Sequence, residues 1–181
     1  IMNGSVVVIK VQTGEILAIA SKPSFDPNKF AAGISPKNWK QLINDEMHPL
    51  QNRSIHSQYP PGSVYKIAVA YAALEKGVID AESKINCPGW FKLGRGRYRC
   101  WKKHGHGTLN LHDALVESCD VYFYNLALKV GVNRVAEMAR RLGLGELSGL
   151  DLPGEKAGLI PTPDWKRAMY DDTWKKGDTF N

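Results

Sequence analysis

Apolar residues form two short blocks near the start of the chain and then recur at helical spacing further along. Ser5-Val6-Val7-Val8-Ile9-Lys10-Val11 is rich in β-branched residues, Gln12-Thr13-Gly14 breaks it, and Glu15-Ile16-Leu17-Ala18-Ile19-Ala20 follows. Two apolar runs around a short Gly-containing turn predict a β-hairpin over residues 4–21. Lys22-Pro23-Ser24-Phe25-Asp26-Pro27 ends the second strand, because two prolines cannot continue a ladder. Residues 28–58 are mixed, with a short helix predicted near Pro36 to Ile43.

Tyr59-Pro60-Pro61-Gly62 stops whatever precedes it. From Ser63 to Lys76, the apolar residues Ile67, Ala70, Tyr71 and Leu74 recur at helical spacing, and Gly77 ends the run. Ala68, Val69, Ala72 and Ala73 add little polarity on the other faces, so most of this helix is expected to be buried. Residues 80–108 are rich in Gly, Lys and Arg, with Trp90, Phe91 and Trp101 as aromatic anchors. Asn110 is placed to cap a helix from Leu111 to Glu117. Asp120 opens the next, through about Val130 before Gly131. A third runs from Asn133 to Leu142, with Val135, Met138, Ala139 and Leu142 as its apolar stripe and Gly143 as its stop. A helical subdomain over about 60–145 follows from these spans, and Gly149 to Pro163 is turn-rich. No repeat or low-complexity tract is present.

The length of 181 residues suits one domain or a large piece of one, and 43% hydrophobic residues can fill a packed core. No run of 18 or more apolar residues occurs, so no stretch reads as a spanning helix. Ile1-Met2-Asn3-Gly4-Ser5 lacks the basic and apolar regions of a signal peptide, and both ends read as cuts inside a longer protein. Much of the formal charge of +6 sits at Lys92, Arg95, Arg97, Arg99, Lys102 and Lys103. A solvated loop accounts for this patch. No helix-turn-helix, RNA-recognition or zinc-finger pattern accompanies it, which argues against a nucleic-acid partner.

The chemistry concentrates at Ser63-Val64-Tyr65-Lys66, a Ser-x-x-Lys motif in the first turn of a helix. Positions three apart share a helix face, so hydroxyl and amine can meet without help from elsewhere. A serine hydroxyl needs a nearby base, and a lysine can serve if burial or neighbouring cations lower its pKa. Free N–H groups and the positive dipole end at the helix start suit an oxyanion beside Ser63. An N-capping serine followed by an exposed lysine would give the same four letters. Here Pro-Pro-Gly fixes the approach, and the helix that follows is nearly all apolar, which leaves Lys66 little room to be an ordinary solvated lysine.

Pro61-Gly62-Ser63-Val64-Tyr65-Lys66 resembles the acylation motif of penicillin-binding proteins and serine β-lactamases. Ser118-Cys119-Asp120 resembles the second family element, Ser-x-Asn or Ser-x-Asp on a helix–helix turn some fifty residues later. Gly105-His106-Gly107, Tyr122-Phe123-Tyr124-Asn125 and Gly177-Asp178-Thr179 are similar to class B transpeptidases, specifically the elongation-type, rod-shape group (penicillin-binding protein 2). The resemblance covers nearly the whole chain from Gly4. It implies an α/β (α+β) fold of the transpeptidase and serine β-lactamase kind, an antiparallel sheet with a helical subdomain. The family's Lys-Thr-Gly strand is absent, as are its N-terminal anchor and pedestal. The fold is therefore expected to be incomplete, a partial transpeptidase domain over 1–181, and close to inactive as an isolated stretch.

The resemblance also implies a mechanism. Ser63 attacks the D-Ala-D-Ala carbonyl of a stem-peptide donor, D-Ala leaves, and an amine of a neighbouring stem peptide resolves the acyl-enzyme. Ser118 would relay a proton between Lys66 and the leaving group, and Asp120 would hydrogen-bond Lys66 or the substrate amide. β-Lactam antibiotics would acylate Ser63 with slow release. The implied setting is the periplasmic face of the bacterial inner membrane, beside a membrane glycosyltransferase and a rod-shape scaffold protein. A D,D-carboxypeptidase, a β-lactamase-type hydrolase and a β-lactam sensor domain share the same motif. Class A β-lactamases use a glutamate on a later loop, and Glu146 and Glu155 sit in no recognisable loop pattern of that kind.

Three cysteines remain: Cys87, Cys100 and Cys119. A Cys87–Cys100 disulfide with Cys119 free is one reading. The other is a metal, since Cys87, Cys100, His106 and Cys119 make a closed set of three thiolates and one imidazole for zinc. The Gly-rich stretch over 80–108 needs something to hold it. The rod-shape group can carry a zinc site near its second motif, so the resemblance favours zinc. His104 is the rival histidine, and His48, His56 and His112 read as surface or packing residues.

Overall fold

A computed structural model of the chain describes residues 3–31 and 33–180. The chain forms two compact units, one from residues 1–59 and 149–156, the other from residues 60–148 and 157–181.

In the first unit, β1 (Gly4–Ile9) and β2 (Ile16–Lys22) pair antiparallel, as the two apolar runs predict, with Val7 opposite Ile19 and a bulge between Val8 and Ile9. The turn closes when the Lys10 N–H donates to the Glu15 carbonyl at 2.9 Å. Three helices follow: α1 (Asn28–Ala31), α2 (Pro36–Ile43) and α3 (Arg53–His56). α2 has the predicted bounds because the Ser35 hydroxyl caps the Asn38 N–H and a proline sits in its first turn. The Ser21 hydroxyl accepts the Arg53 N–H (3.0 Å) and donates to the Gln51 carbonyl (3.2 Å), tying α3 to β2. Arg53 is buried, and its guanidinium donates to the Met47 and His48 carbonyls.

In the second unit a 3-10 turn (Gly62–Tyr65) runs directly into α4 (Lys66–Glu75). Then come β3 (Ile85–Cys87), β4 (Trp90–Leu93), β5 (Gly96–Arg99) and β6 (Gly107–Leu109). β3 pairs with β6 and β4 with β5, both antiparallel. These strands hold only three or four residues each, too few for an alternating pattern to show in the Gly- and Arg-rich sequence. α5 (Leu111–Val116), α6 (Asp120–Val130) and α7 (Val132–Arg141) match the predicted helices within two residues. α8 (Pro163–Tyr170) and a final 3-10 turn (Lys176–Phe180) complete the unit. Among the described residues no helix is long and apolar enough to cross a membrane.

The core lies where α4 packs on α6 and α7. Val121, Tyr122 and Leu126 are fully buried, and the Tyr122 hydroxyl donates to the Ser83 carbonyl at 2.8 Å. α4 corrects one expectation. Its buried face is made of Ala68, Val69, Ala70, Ala72 and Ala73, whereas Ile67, Tyr71 and Leu74 are 48%, 55% and 41% exposed. Small residues let the helix axes approach closely and pack densely, so the alanine face, not the bulkier stripe, meets α6 and α7. Leu142, placed in the α7 stripe, is likewise exposed. α4 ends as the sequence indicates: Gly77 takes φ +67°, and the Val78 N–H bonds back to the Ala73 carbonyl.

Candidate active site

Ser63 sits in the 3-10 turn and Lys66 opens α4, so the two side chains fall on one side of a continuous helical rod. Gly62, at φ +55°, makes the backbone reversal that a side chain would resist. The Lys66 Nζ lies 3.2 Å from Ser63 Oγ. Its side chain is only 12% exposed, which excludes the solvated lysine of an accidental motif. Ser63 lies inside the 3-10 turn, whose N-cap is Pro61, and its hydroxyl faces Lys66 and Ser118.

The second predicted element arrives from the turn between α5 and α6. Lys66 Nζ donates to the Ser118 carbonyl (2.8 Å), the Ser118 hydroxyl (3.0 Å) and Asp120 Oδ1 (2.6 Å). The Ser118 hydroxyl donates to Ser63 Oγ at 2.9 Å. Ser63, Lys66 and Ser118 thus form a closed triangle through which a proton can pass, and Asp120 pairs with Lys66 as its counter-ion. Ser118 achieves two contacts to one ammonium because its backbone is left-handed, with φ +49°. That conformation is costly for a non-glycine residue and persists where its surroundings over-determine it. All four predicted catalytic residues are brought together.

Two contributors escaped the sequence reading. The Phe123 ring lies 5.7 Å from Lys66 Nζ, giving the ammonium an aromatic face. Trp101, read from the sequence as an aromatic anchor, is 61% exposed. Its backbone N–H donates to Asp120 Oδ2 at 3.0 Å and its indole N–H to the Glu117 carbonyl at 2.9 Å. No sequence signal marks a backbone donor of this kind. The Gly177-Asp178-Thr179 segment is organised by a further unpredicted residue, Lys166, whose Nζ lies 2.6 Å from Asp178 Oδ2. The Lys166 ammonium and the Lys175 N–H hold the Asp178 carboxyl below the usual carboxylate range.

The cysteine set also converges. The ligand atoms of Cys87, Cys100, His106 and Cys119 all lie within 4.8 Å of one another. No disulfide joins any two of the three cysteines in this structure. His104 is exposed and outside the cluster. Cys87 and Cys119 close the cluster from β3 and the α6 N-terminus. Cys100 and His106 come from the loop between β5 and β6. Two glycines make this packing possible. Gly105 (φ +80°) and Gly89 (φ +91°) lie back to back, where a Cβ on Gly105 would collide with the Cys87 carbonyl and one on Gly89 with the Lys103 carbonyl. Burial pushes the Cys119 thiol up to about 12, reinforced by the neighbouring Cys87 and Cys100. The His106 side chain is 1% exposed. Its Nε2 has no hydrogen-bond partner and stands 3.9 Å from a Glu117 carboxylate oxygen. The other ring nitrogen, Nδ1, lies 3.6 Å from Cys100 Sγ, so an imidazole nitrogen meets three converging sulfurs, a donor set that fits a tetrahedral soft cation.

Comparison with known proteins agrees with this geometry. The chain is 42% identical over 181 residues to a peptidoglycan D,D-transpeptidase MrdA from Acinetobacter baumannii. It is 44% identical over 180 residues to the protein of the same name from Escherichia coli K12. The matches cover 99% and 98% of this chain, which spans only 27% and 28% of the length of those two relatives. A solved complex between penicillin-binding protein 2 and MreC from Helicobacter pylori superposes with a TM-score of 0.94 at 38% identity, covering 98% of this chain and 33% of that one. Residues 4–177 match the family described as the penicillin binding protein transpeptidase domain. With its Ser-x-x-Lys and Ser-x-Asp elements locked into one hydrogen-bonded cluster, this chain belongs to the penicillin-binding protein transpeptidase family.

Proposed function

We propose that the protein containing this chain is a peptidoglycan D,D-transpeptidase of cell elongation that works through an acyl-enzyme on Ser63. The observation that carries this is the triangle of Ser63 Oγ, Lys66 Nζ and Ser118 Oγ, with sides of 3.2, 3.0 and 2.9 Å. As Ser63 Oγ bonds to the carbonyl carbon of the D-Ala-D-Ala peptide, its proton passes to Lys66 in its uncharged amine form, which becomes an ammonium held by Asp120 and bonded to Ser118. Ser118 delivers a proton to the departing nitrogen, the C–N bond breaks, and D-Ala leaves as an amine. An amine of a second stem peptide then attacks the ester carbon, gives up a proton through the same pair, and the Ser63 C–O bond breaks. Asp120 keeps Lys66 in reach of both hydroxyls throughout. A β-lactam ring opens by the same first step, and its amine stays tethered.

The Cys87, Cys100, His106 and Cys119 set would hold a zinc ion in this reading. Four protein ligands leave no open position, so the ion would brace the turn bearing Ser118 and Asp120 and take no part in the chemistry. Stem peptides with a D-Ala-D-Ala end and β-lactams are the ligands. A membrane glycosyltransferase and a scaffold protein are the partners at the periplasmic face of the inner membrane. The solved MreC complex of the related Helicobacter pylori protein supports the scaffold assignment.

The test is intact mass of the full-length protein after exposure to penicillin. Wild type gains one penicillin mass at Ser63 and Ser63→Ala gains none. Rapid release of the adduct would favour a hydrolase, and failure to transfer the acyl group to an added amine would count against a transpeptidase. No adduct on the wild type overturns the acyl-enzyme.

A further inference from the structure

We propose that Trp101 is a positioning residue for acylation, holding both ends of the Ser118-Cys119-Asp120 turn so that Asp120 keeps Lys66 on Ser63. This inference rests on the acyl-enzyme reading above. The turn must present three groups to one ammonium: the Ser118 carbonyl, the Ser118 hydroxyl and Asp120 Oδ1. Its backbone is left-handed at Ser118 and would relax without support. Trp101 touches it from both sides. Upstream, the indole N–H donates to the Glu117 carbonyl at 2.9 Å. That carbonyl stands at the C-terminal cap of α5, where helix carbonyls lack partners in the helix. Downstream, the Trp101 backbone N–H donates to Asp120 Oδ2 at 3.0 Å. One carboxylate oxygen is thereby fixed from the loop, and the other is left for Lys66 at 2.6 Å.

Burial does not account for a tryptophan here. Its side chain is 61% exposed, yet both of its N–H groups are used. The ring stands edge-on to His106, with centroids 5.3 Å apart, which sets its plane. The indole nitrogen anchors the residue, and the anchored residue aims its backbone donor at Asp120. Its N–H groups go to Glu117 and Asp120, so it acts through Asp120 and is not itself catalytic.

The experiment measures acylation of the full-length protein by a fluorescent penicillin, separating the non-covalent constant K from the acylation rate k2. Two variants remove the indole donor: Trp101→Phe, and replacement of Trp101 by its benzothiophene analogue, which keeps the two-ring shape and deletes only the N–H. Losing this solvent-accessible hydrogen bond should lower k2 about fivefold. K, bound zinc and the thermal midpoint should stay as in wild type, because only the chemical step depends on this alignment. If Trp101→Phe misfolds, the analogue gives the answer. Unchanged k2 in the analogue overturns the inference, and so does a fall in k2 that tracks loss of zinc. A wild type that is never acylated sinks the acyl-enzyme reading and this inference with it. A wild type labelled at Ser63 alongside an equally fast analogue sinks this inference alone.

Discussion

Replacing Asp120 by asparagine in the full-length protein isolates the charge that holds Lys66. The pair is 2.6 Å apart, with the side chains 12% and 24% exposed. Water and salt therefore screen it little. Asparagine keeps one oxygen for the ammonium but removes the negative charge, and a hydrogen bond to a charged group contributes about 1.5–3 kcal/mol net. The amide nitrogen also takes the place of Oδ2, so two donors, Asn N–H and the Trp101 N–H, face each other across the 3.0 Å that now forms a hydrogen bond. Leaving that N–H unsatisfied adds about 1 kcal/mol or more. At about 1.4 kcal/mol per decade, acylation by fluorescent penicillin should slow by roughly 50- to 1000-fold. Wild-type acylation should change little between 0.1 and 1 M salt (about 10 and 3 Å screening lengths), because the pair is sheltered. A loss below threefold in Asp120→Asn would show that the ion pair does not organise the nucleophile.

Other outcomes follow from the same coordinates. Zinc titrated into metal-free protein should release about three protons, one per thiol, read by calorimetry in two buffers of different ionisation enthalpy. The Cys119 thiol at about 12 must lose its proton to bind, so affinity should rise with pH, and pH-independent uptake would exclude thiolate ligation. Gly105→Ala would drive a Cβ into the Cys87 carbonyl and force φ +80° on alanine, so zinc content should fall sharply while Ser63→Ala keeps it. Normal zinc content in Gly105→Ala would refute the back-to-back glycine packing. Tyr122→Phe removes the partner of the half-buried Ser83 carbonyl and should destabilise this unit by about 1 kcal/mol in hydrogen exchange of α6 amides, with no change expected if that hydroxyl is idle.

Local signals carried far here because the decisive features are short in sequence. Ser63 and Lys66 are three residues apart, and a helix puts such residues on one face wherever it sits. The hairpin, α2, α5, α6 and α7 carry their own turns, caps and stops, so Ser35, Asn110 and Gly131 mark boundaries without help from packing. What the tertiary structure alone decided is which side of each element faces inward and what meets across long separations. Periodicity in α4 offered the Ile67, Tyr71 and Leu74 stripe as readily as the alanine face, and close packing against α6 and α7 chose the alanines. Lys66 meets Ser118 across 52 residues, and no local rule sets the φ +49° that aims two Ser118 oxygens at one ammonium. The Trp101 N–H is invisible in sequence for a plain reason: every residue but proline has one, and only the folded chain says where it points.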